Sequence, residues 1–270
     1  MTQVANRRFA LLIAGIMALI SLSGPALAQG LSGGGDSPLE VTAENGIEWQ
    51  QDKQVFLARG NALATQGDVT VASDILRAYY RETDEGKTDV WRVDADGNVL
   101  INSPGMTVTG DTAVYDVENE ILVVKSDREV RLESPDQIIT ANQQMEYWAN
   151  RQMAVARGKA RAMREGQTVQ ADVLVARFVE ENGRNRVKQV EAFDRVLIVT
   201  AQKDRVTSDR GLYDLGTGIA TLTGSVKITR GGNQLNGCRA QVNLNTGVSK
   251  IFSCANDRVR TLLERAPEKQ

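Results

Sequence analysis

The chain is 270 residues long, with 32 basic against 34 acidic side chains, no histidine and two cysteines. A nearly balanced charge without a basic stripe argues against a nucleic-acid binder. The lack of histidine removes Ser-His-Asp and Cys-His catalysis together with the commonest transition-metal ligand.

Residues 1–28 have the three parts of a secretory signal peptide: Arg7 and Arg8, an apolar run from Phe9 to Ile20, and small residues ending Ala26-Leu27-Ala28. The run is short for a membrane span, and an uncleaved anchor is the alternative. No cysteine near the junction offers a lipoprotein anchor. Without residues 1–28 the formal charge is about −4, because two arginines leave and no acid does. Residues 29–38, with Gly33-Gly34-Gly35, read as a flexible leader.

From residue 39 a short signature returns seven times: Val41–Glu44, Val71–Asp74, Val108–Asp111, Ile139–Asn142, Val169–Asp172, Val206–Asp209 and Leu235–Cys238. Its last position falls at 44, 74, 111, 142, 172, 209 and 238, so the steps are 30, 37, 31, 30, 37 and 29 residues. A period of this size marks a stacked repeat in which no unit buries its apolar face alone. A longer period overlies it, since 142−44, 172−74 and 209−111 all equal 98. Along that offset Glu48 meets Glu146, Ala58-Arg59-Gly60 meets Ala156-Arg157-Gly158, and Tyr115-Asp116 meets Tyr213-Asp214. An internal duplication follows, with halves at about 39–136 and 137–234, a final hairpin at 235–259, and a charged tail at 260–270. The two 37-residue steps carry polar insertions, Arg81–Thr88 and Glu180–Arg186, read as longer loops.

Within each unit the residues alternate, as in a half-buried strand. One face carries Val108, Gly110, Thr112 and Val114, or Ile139, Ala141 and Met145, or Val206, Ser208 and Leu212. A second alternating run follows, such as Ala220, Leu222, Gly224, Val226 and Ile228. Turn chemistry at Asp94–Asn98, Asp116–Glu120, Asp214–Gly218 and Asn245–Gly247 punctuates the runs. The expectation is an all-β domain of repeated antiparallel strands over 39–259, without helices. Many interior positions are small, including Ala58, Ala62, Ala156 and Ala160. Either the two faces form a thin, tight sandwich, or they leave room for a ligand.

Cys238 and Cys254 flank the Asn245–Gly247 turn symmetrically about Thr246. In a hairpin centred there the sulfurs lie on opposed strands, and in an exported chain they are expected to form a disulfide. Asp74, Asp111, Asp172 and Asp209 recur at one repeat position, but Asn142 and Cys238 share it, so a charge-requiring metal or catalytic site is not expected there. They read instead as solvated or turn-capping acids. A repeat-scaffold carbohydrate enzyme would need two converging carboxylates, and no pair suggests itself. No cofactor or metal is expected.

These features together resemble the LptA/OstA family of lipopolysaccharide transport proteins. The resemblance rests on the repeated V-T-[AGS]-D units, Tyr115-Asp116 and Tyr213-Asp214, and the turns at Gly60-Asn61-Ala62, Gly158-Lys159-Ala160 and Gly224-Ser225-Val226, over about Leu39–Cys254. It implies an open β-jellyroll, a folded-over sheet whose inner face holds the acyl chains of lipid A. It also implies a periplasmic bridge without catalytic activity, an LptC-like inner-membrane partner, an LptD-like outer-membrane partner and head-to-tail self-association. The expected lipid-facing residues are Val71, Val108, Val114, Ile139, Met145, Val169, Val206, Leu212, Leu222 and Val226. A structural repeat protein of the envelope, with a closed core and no lipid, is the alternative.

Overall fold

The computed structural model describes residues 39–83, 86, 88–181, 184–230, 232–243, 245–246, 248–255 and 258–262. The signal peptide, the leader and residues 263–270 of the tail lie outside the described residues. The chain divides into two compact units with the boundary inside one strand, between Gly158 and Lys159. The first unit also takes in residues 180–185.

The first unit holds β1 (Glu40–Thr42), β2 (Ile47–Gln50), β3 (Val55–Gln66), β4 (Val69–Glu82), β5 (Thr88–Ser103), β6 (Met106–Asp116), β7 (Ile121–Lys125), β8 (Val130–Ser134), β9 (Gln137–Ala141), β10 (Gln144–Trp148) and the start of β11 (Met153–Arg164). The second unit continues with β12 (Gln167–Glu181), β13 (Arg184–Val199), β14 (Arg205–Asp214), β15 (Ile219–Arg230), β16 (Asn233–Asn243), β17 (Val248–Phe252) and β18 (Arg260–Leu262). The helical elements among the described residues are two single 3-10 turns, Gln51–Lys53 and Ala149–Arg151. The fold is therefore all-β and antiparallel, with strands paired to their sequence neighbours.

Two cross-strand rows organise the inner face of the first unit. In one, Val41 faces Ala64, then Val71, Ile101, Val108, Leu132 and Ile139 in turn. In the other, Ile47 faces Ala58, then Leu76, Ala95, Ala113, Val124, Met145 and Ala156. Between the rows every strand is interrupted. β3, β4 and β5 carry register shifts at Arg59/Ala62, Ala72/Ile75 and Asp96/Val99, and β1–β2, β7–β8 and β9–β10 are each one run broken at this level. The second unit repeats the device, with Ile198, Val206, Ile228 and Leu235 on one side of its shifts and Ala192, Gly211, Leu222 and Ala240 on the other.

The bulge has a definite chemistry. One strand turns through two consecutive left-handed residues: Gly60-Asn61, Gly97-Asn98, Gly158-Lys159 or Gly224-Ser225, all with positive φ. The neighbouring strand offers the fourth signature residue to it. Asp74 accepts a bond from the Asn98 amide at 2.9 Å, Asp209 one from the Ser225 hydroxyl at 3.4 Å, and Asp172 pairs with Arg195. At Gly97 and Gly224 an added Cβ would collide with the Asp74 and Asp209 carboxylates, so glycine is required by space as well as by φ.

Several expectations change here. Asp94–Asn98 is not a turn but the bulge inside β5. The insertion after Tyr80 mainly lengthens a hairpin, with Arg81 facing Asp89 and Glu82 facing Thr88. The 98-residue offset slips by one through β5 and β13: Tyr115 faces Val93, whereas Tyr213 faces Val190. Arg260–Leu262 of the expected tail form β18 and pair with Asn236–Gln234. The expected disulfide joins Cys238 and Cys254. The hairpin register is one residue away from symmetry about Thr246, with Arg239 facing Phe252.

Candidate functional site

Both rows of the first unit line one cavity of about 500 Å³. Val41, Ala64, Val71 and Ile101 come from the first row, and Ile47, Ala58, Leu76, Ala95 and Ala113 from the second. The two halves of each strand, on either side of the bulge, therefore look into a common space. Phe56, Ala78, Val93, Tyr115 and Leu122 extend the wall, and Gln66 supplies an amide among these apolar side chains. Apolar pockets of about 300–1,000 Å³ with few polar groups are the usual form of small-ligand sites. Alanines at five wall positions set the width: larger residues would fill the space with protein.

Leu39 and Ile47 are both wall residues and large exposed apolar residues, so this end of the cavity reaches solvent. Beside it Trp49 stacks on Phe56 with ring centroids 5.6 Å apart and donates its indole N–H to the Tyr80 hydroxyl at 2.7 Å. Deeper in the unit, burial pushes the Tyr147 phenol up to about 12 and raises Tyr115 as well. Both remain neutral hydroxyls at physiological pH. Among the described residues no cluster of acids or cysteines is arranged to hold a metal ion.

The sequence-expected residues divide by face. Val71 lines the cavity; Val108, Ile139 and Met145 stand in the two rows on the same face. In the second unit Val169, Val206, Leu222 and Val226 are buried, the last three at 2 % exposure, within that unit's own core. Val114 and Leu212 face the other way. Val114 sits opposite Asp94 and Val123, and Leu212 opposite Glu191 and Thr221, 38 % exposed. Strict alternation put them inside; at the level of Asp111 and Asp209, where β5 and β13 each carry one residue more than the strand beside them, the inward face of β6 and β14 changes parity, so that Val108 and Ala113, and Val206 and Gly211, five residues apart, stand in the inner rows. Ala113, Tyr115 and Gly211 take the inner places instead.

Sequence reasoning also missed Phe56, Leu76, Ala95 and Ile101. Their signal was present: an acid at the fourth signature position opposite a Gly-x dipeptide marks where parity must be recounted. The recurring acids act as clamps. Asp111 accepts from the Asp127 backbone N–H at 2.7 Å and the Ser126 hydroxyl at 2.9 Å, holding the β7–β8 break.

Those bonds give a pH dependence. The Asp127 N–H first, then the Ser126 hydroxyl, hold the Asp111 carboxyl below its usual range. The Asn119 side chain and backbone do the same for Asp116, and the Thr217 backbone N–H and hydroxyl for Asp214. A depressed folded-state value means that the stabilisation is present above the unfolded aspartate value, about 3.9, and is lost as pH falls through the lower folded value. Urea-unfolding midpoints should therefore drop below about pH 4, and Asp111→Asn should flatten part of that drop. An unchanged acid profile in the variant would contradict the clamp.

The fold and site define a class: an antiparallel β-repeat protein with an apolar, solvent-reaching cavity. The chain matches the family of LptA/(LptD N-terminal domain) lipopolysaccharide transport proteins over residues 40–152 and again over 138–248, and it belongs to that family. It is 24% identical over 132 residues to an uncharacterized protein of Rhizobium meliloti (strain 1021), covering 45% of this chain and 70% of that one. A solved structure it resembles is LptH, described as the LptA-homologous periplasmic component of the lipopolysaccharide transport device of Pseudomonas aeruginosa. That likeness has 15% identity, covers 52% of this chain and 76% of the other, and has a TM-score of 0.25.

Proposed function

We propose that this chain is a periplasmic bridge protein that binds lipopolysaccharide and passes it from an inner-membrane transporter toward an outer-membrane assembly complex, without catalysing a reaction. The observation that carries this reading is the cavity in the first unit, walled by two apolar rows and reaching solvent at Leu39 and Ile47. Burying acyl chain there gains about 0.8 kcal/mol per methylene, so a twelve-carbon chain gains roughly 9 kcal/mol. Family membership supplies the transport context. In this reading the fold is an open β-jellyroll, residues 1–28 direct export, LptC-like and LptD-like proteins are the partners on either side, and copies associate head to tail by strand addition.

The test is photo-crosslinking in cells from positions on opposite faces of one strand. A crosslinker at Ala113 or Tyr115 should give lipopolysaccharide adducts, and one at Val114 should not. Equal adducts from all three, or none from the first two, would remove the cavity as the carrier. The envelope-scaffold reading draws on the fully buried Val206, Leu222 and Val226 of the second unit. It would be favoured if detergent-free protein carried no acyl lipid by native mass spectrometry.

A further inference from the structure

The last joint of the chain is held differently from its internal counterparts. β17 pairs with Arg239–Asn243 and β18 with Gln234–Asn236 of β16, just as β7 pairs with Thr112–Asp116 and β8 with Thr107–Thr109 of β6. At the internal joint the Asp111 carboxylate takes the two hydrogen bonds from Ser126 and Asp127. At the last joint Cys238 stands in the place of Asp111, and a disulfide to Cys254 stands in the place of those bonds.

Packing differs as well. β7 buries Leu122 and Val124, and β8 buries Val130. None of the described side chains of β17 or β18 is buried: Val248, Phe252 and Leu262 are exposed and Ile251 is half-buried. Short strands ordinarily stay in place through the apolar face they bury. In place of a buried apolar face this segment has main-chain hydrogen bonds, the Arg239 guanidinium over the Phe252 ring at 5.5 Å, and one covalent link among its contacts with β16.

We infer that Cys238–Cys254 is a redox latch on the final strand. Oxidised, it holds Val248–Phe252 and Arg260–Leu262 against β16; reduced, it lets both strands go and uncovers the main-chain groups of β16. The reductant is a dithiol. Its thiolate attacks one sulfur to form a mixed disulfide and expel the other cysteine as thiolate; its second thiol then displaces the remaining cysteine. Two electrons and two protons pass to Cys238 and Cys254, and the dithiol becomes a disulfide. The bared strand is a template for strand addition, which the latched form covers. This inference does not depend on which ligand the cavity holds.

The test is amide hydrogen exchange by mass spectrometry on the full chain, oxidised and after dithiothreitol, with Cys238→Ser/Cys254→Ser alongside. Amides of 248–252 and 260–262 should exchange at least about tenfold faster on reduction, while those of β6–β8 stay unchanged. The double serine variant should match the reduced chain without reductant. Cys238→Asp/Cys254→Ser, which recreates the internal clamp, should recover part of the protection. Exchange in 248–262 within about twofold of the oxidised chain would overturn the latch. So would acceleration spreading equally through β14 and β15, which would make the bond a support of the whole unit. Should the serine variant fail to fold, the reduced native chain decides the matter alone.

Discussion

Ala64→Phe/Ala95→Phe is expected to abolish retention of acyl lipid. The two alanines lie in different rows, on opposite sides of the bulge, and both line the cavity. Two phenyl rings entering from facing walls would displace roughly half of a twelve-carbon chain. Six methylenes at about 0.8 kcal/mol each amount to roughly 5 kcal/mol, a loss of affinity beyond about a thousandfold. Overfilling costs the fold about 1–3 kcal/mol, so the variant should still be isolable. Leu63→Phe is the control, because Leu63 faces Thr42 and Ala72 on the outer side and is exposed. Native mass spectrometry and displacement of a fluorescent fatty acid are the readouts. Wild-type lipid occupancy in the double variant would show that the cavity is not where hydrocarbon sits.

The second large effect is on stability, at Gly97. Its φ is +78°, and a Cβ there would run into the Asp74 carboxylate. Gly105 has almost the same φ, +77°, with nothing within 4 Å of where its Cβ would lie. Gly105→Ala should therefore cost only the left-handed penalty, about 1–2 kcal/mol. Gly97→Ala should cost about 2–4 kcal/mol, because the clamp must also open or the bulge move. Asp74→Ala in the Gly97→Ala background should return part of the difference. Equal urea midpoints for the two glycine variants would show that Asp74 swings aside without cost and that the bulge does not depend on this contact.

The repeat, the antiparallel strands and the disulfide were legible because each leaves a local mark: a recurring tetrapeptide, period-two alternation, and two cysteines flanking one turn. The lining was only half legible. Alternation correctly set Val71, Val108, Ile139 and Met145 on the inner face, all at positions where no bulge intervenes or where the chain breaks and restarts. Val114 and Leu212 lay past the level of the bulges, where β5 and β13 take an extra residue and the inward parity of β6 and β14 changes. The bulge itself was written as Gly97-Asn98 opposite Asp74, but its meaning depends on a strand 23 residues away, which a window along one strand does not include. Asp94–Asn98 likewise carried turn chemistry that served to kink a strand instead of ending it. Leu76, five residues past Val71, required both corrections together, parity past the bulge and the pairing of β4 with β3 and β5.

The two apolar rows of the first unit have an implication for how such a protein changes length. Each signature contributes its first residue to one row, and the strand between signatures contributes the next, so Val41, Ala64, Val71, Ile101 and Val108 succeed one another as interchangeable rungs. With strands about 4.8 Å apart, duplicating one signature and its partner strand would extend the lining by roughly 10 Å while leaving every other rung's neighbours chemically alike. Growth or shrinkage by whole copies is thus tolerated where insertion of a single residue is not, and homologues of different reach can arise by copying rather than by redesign.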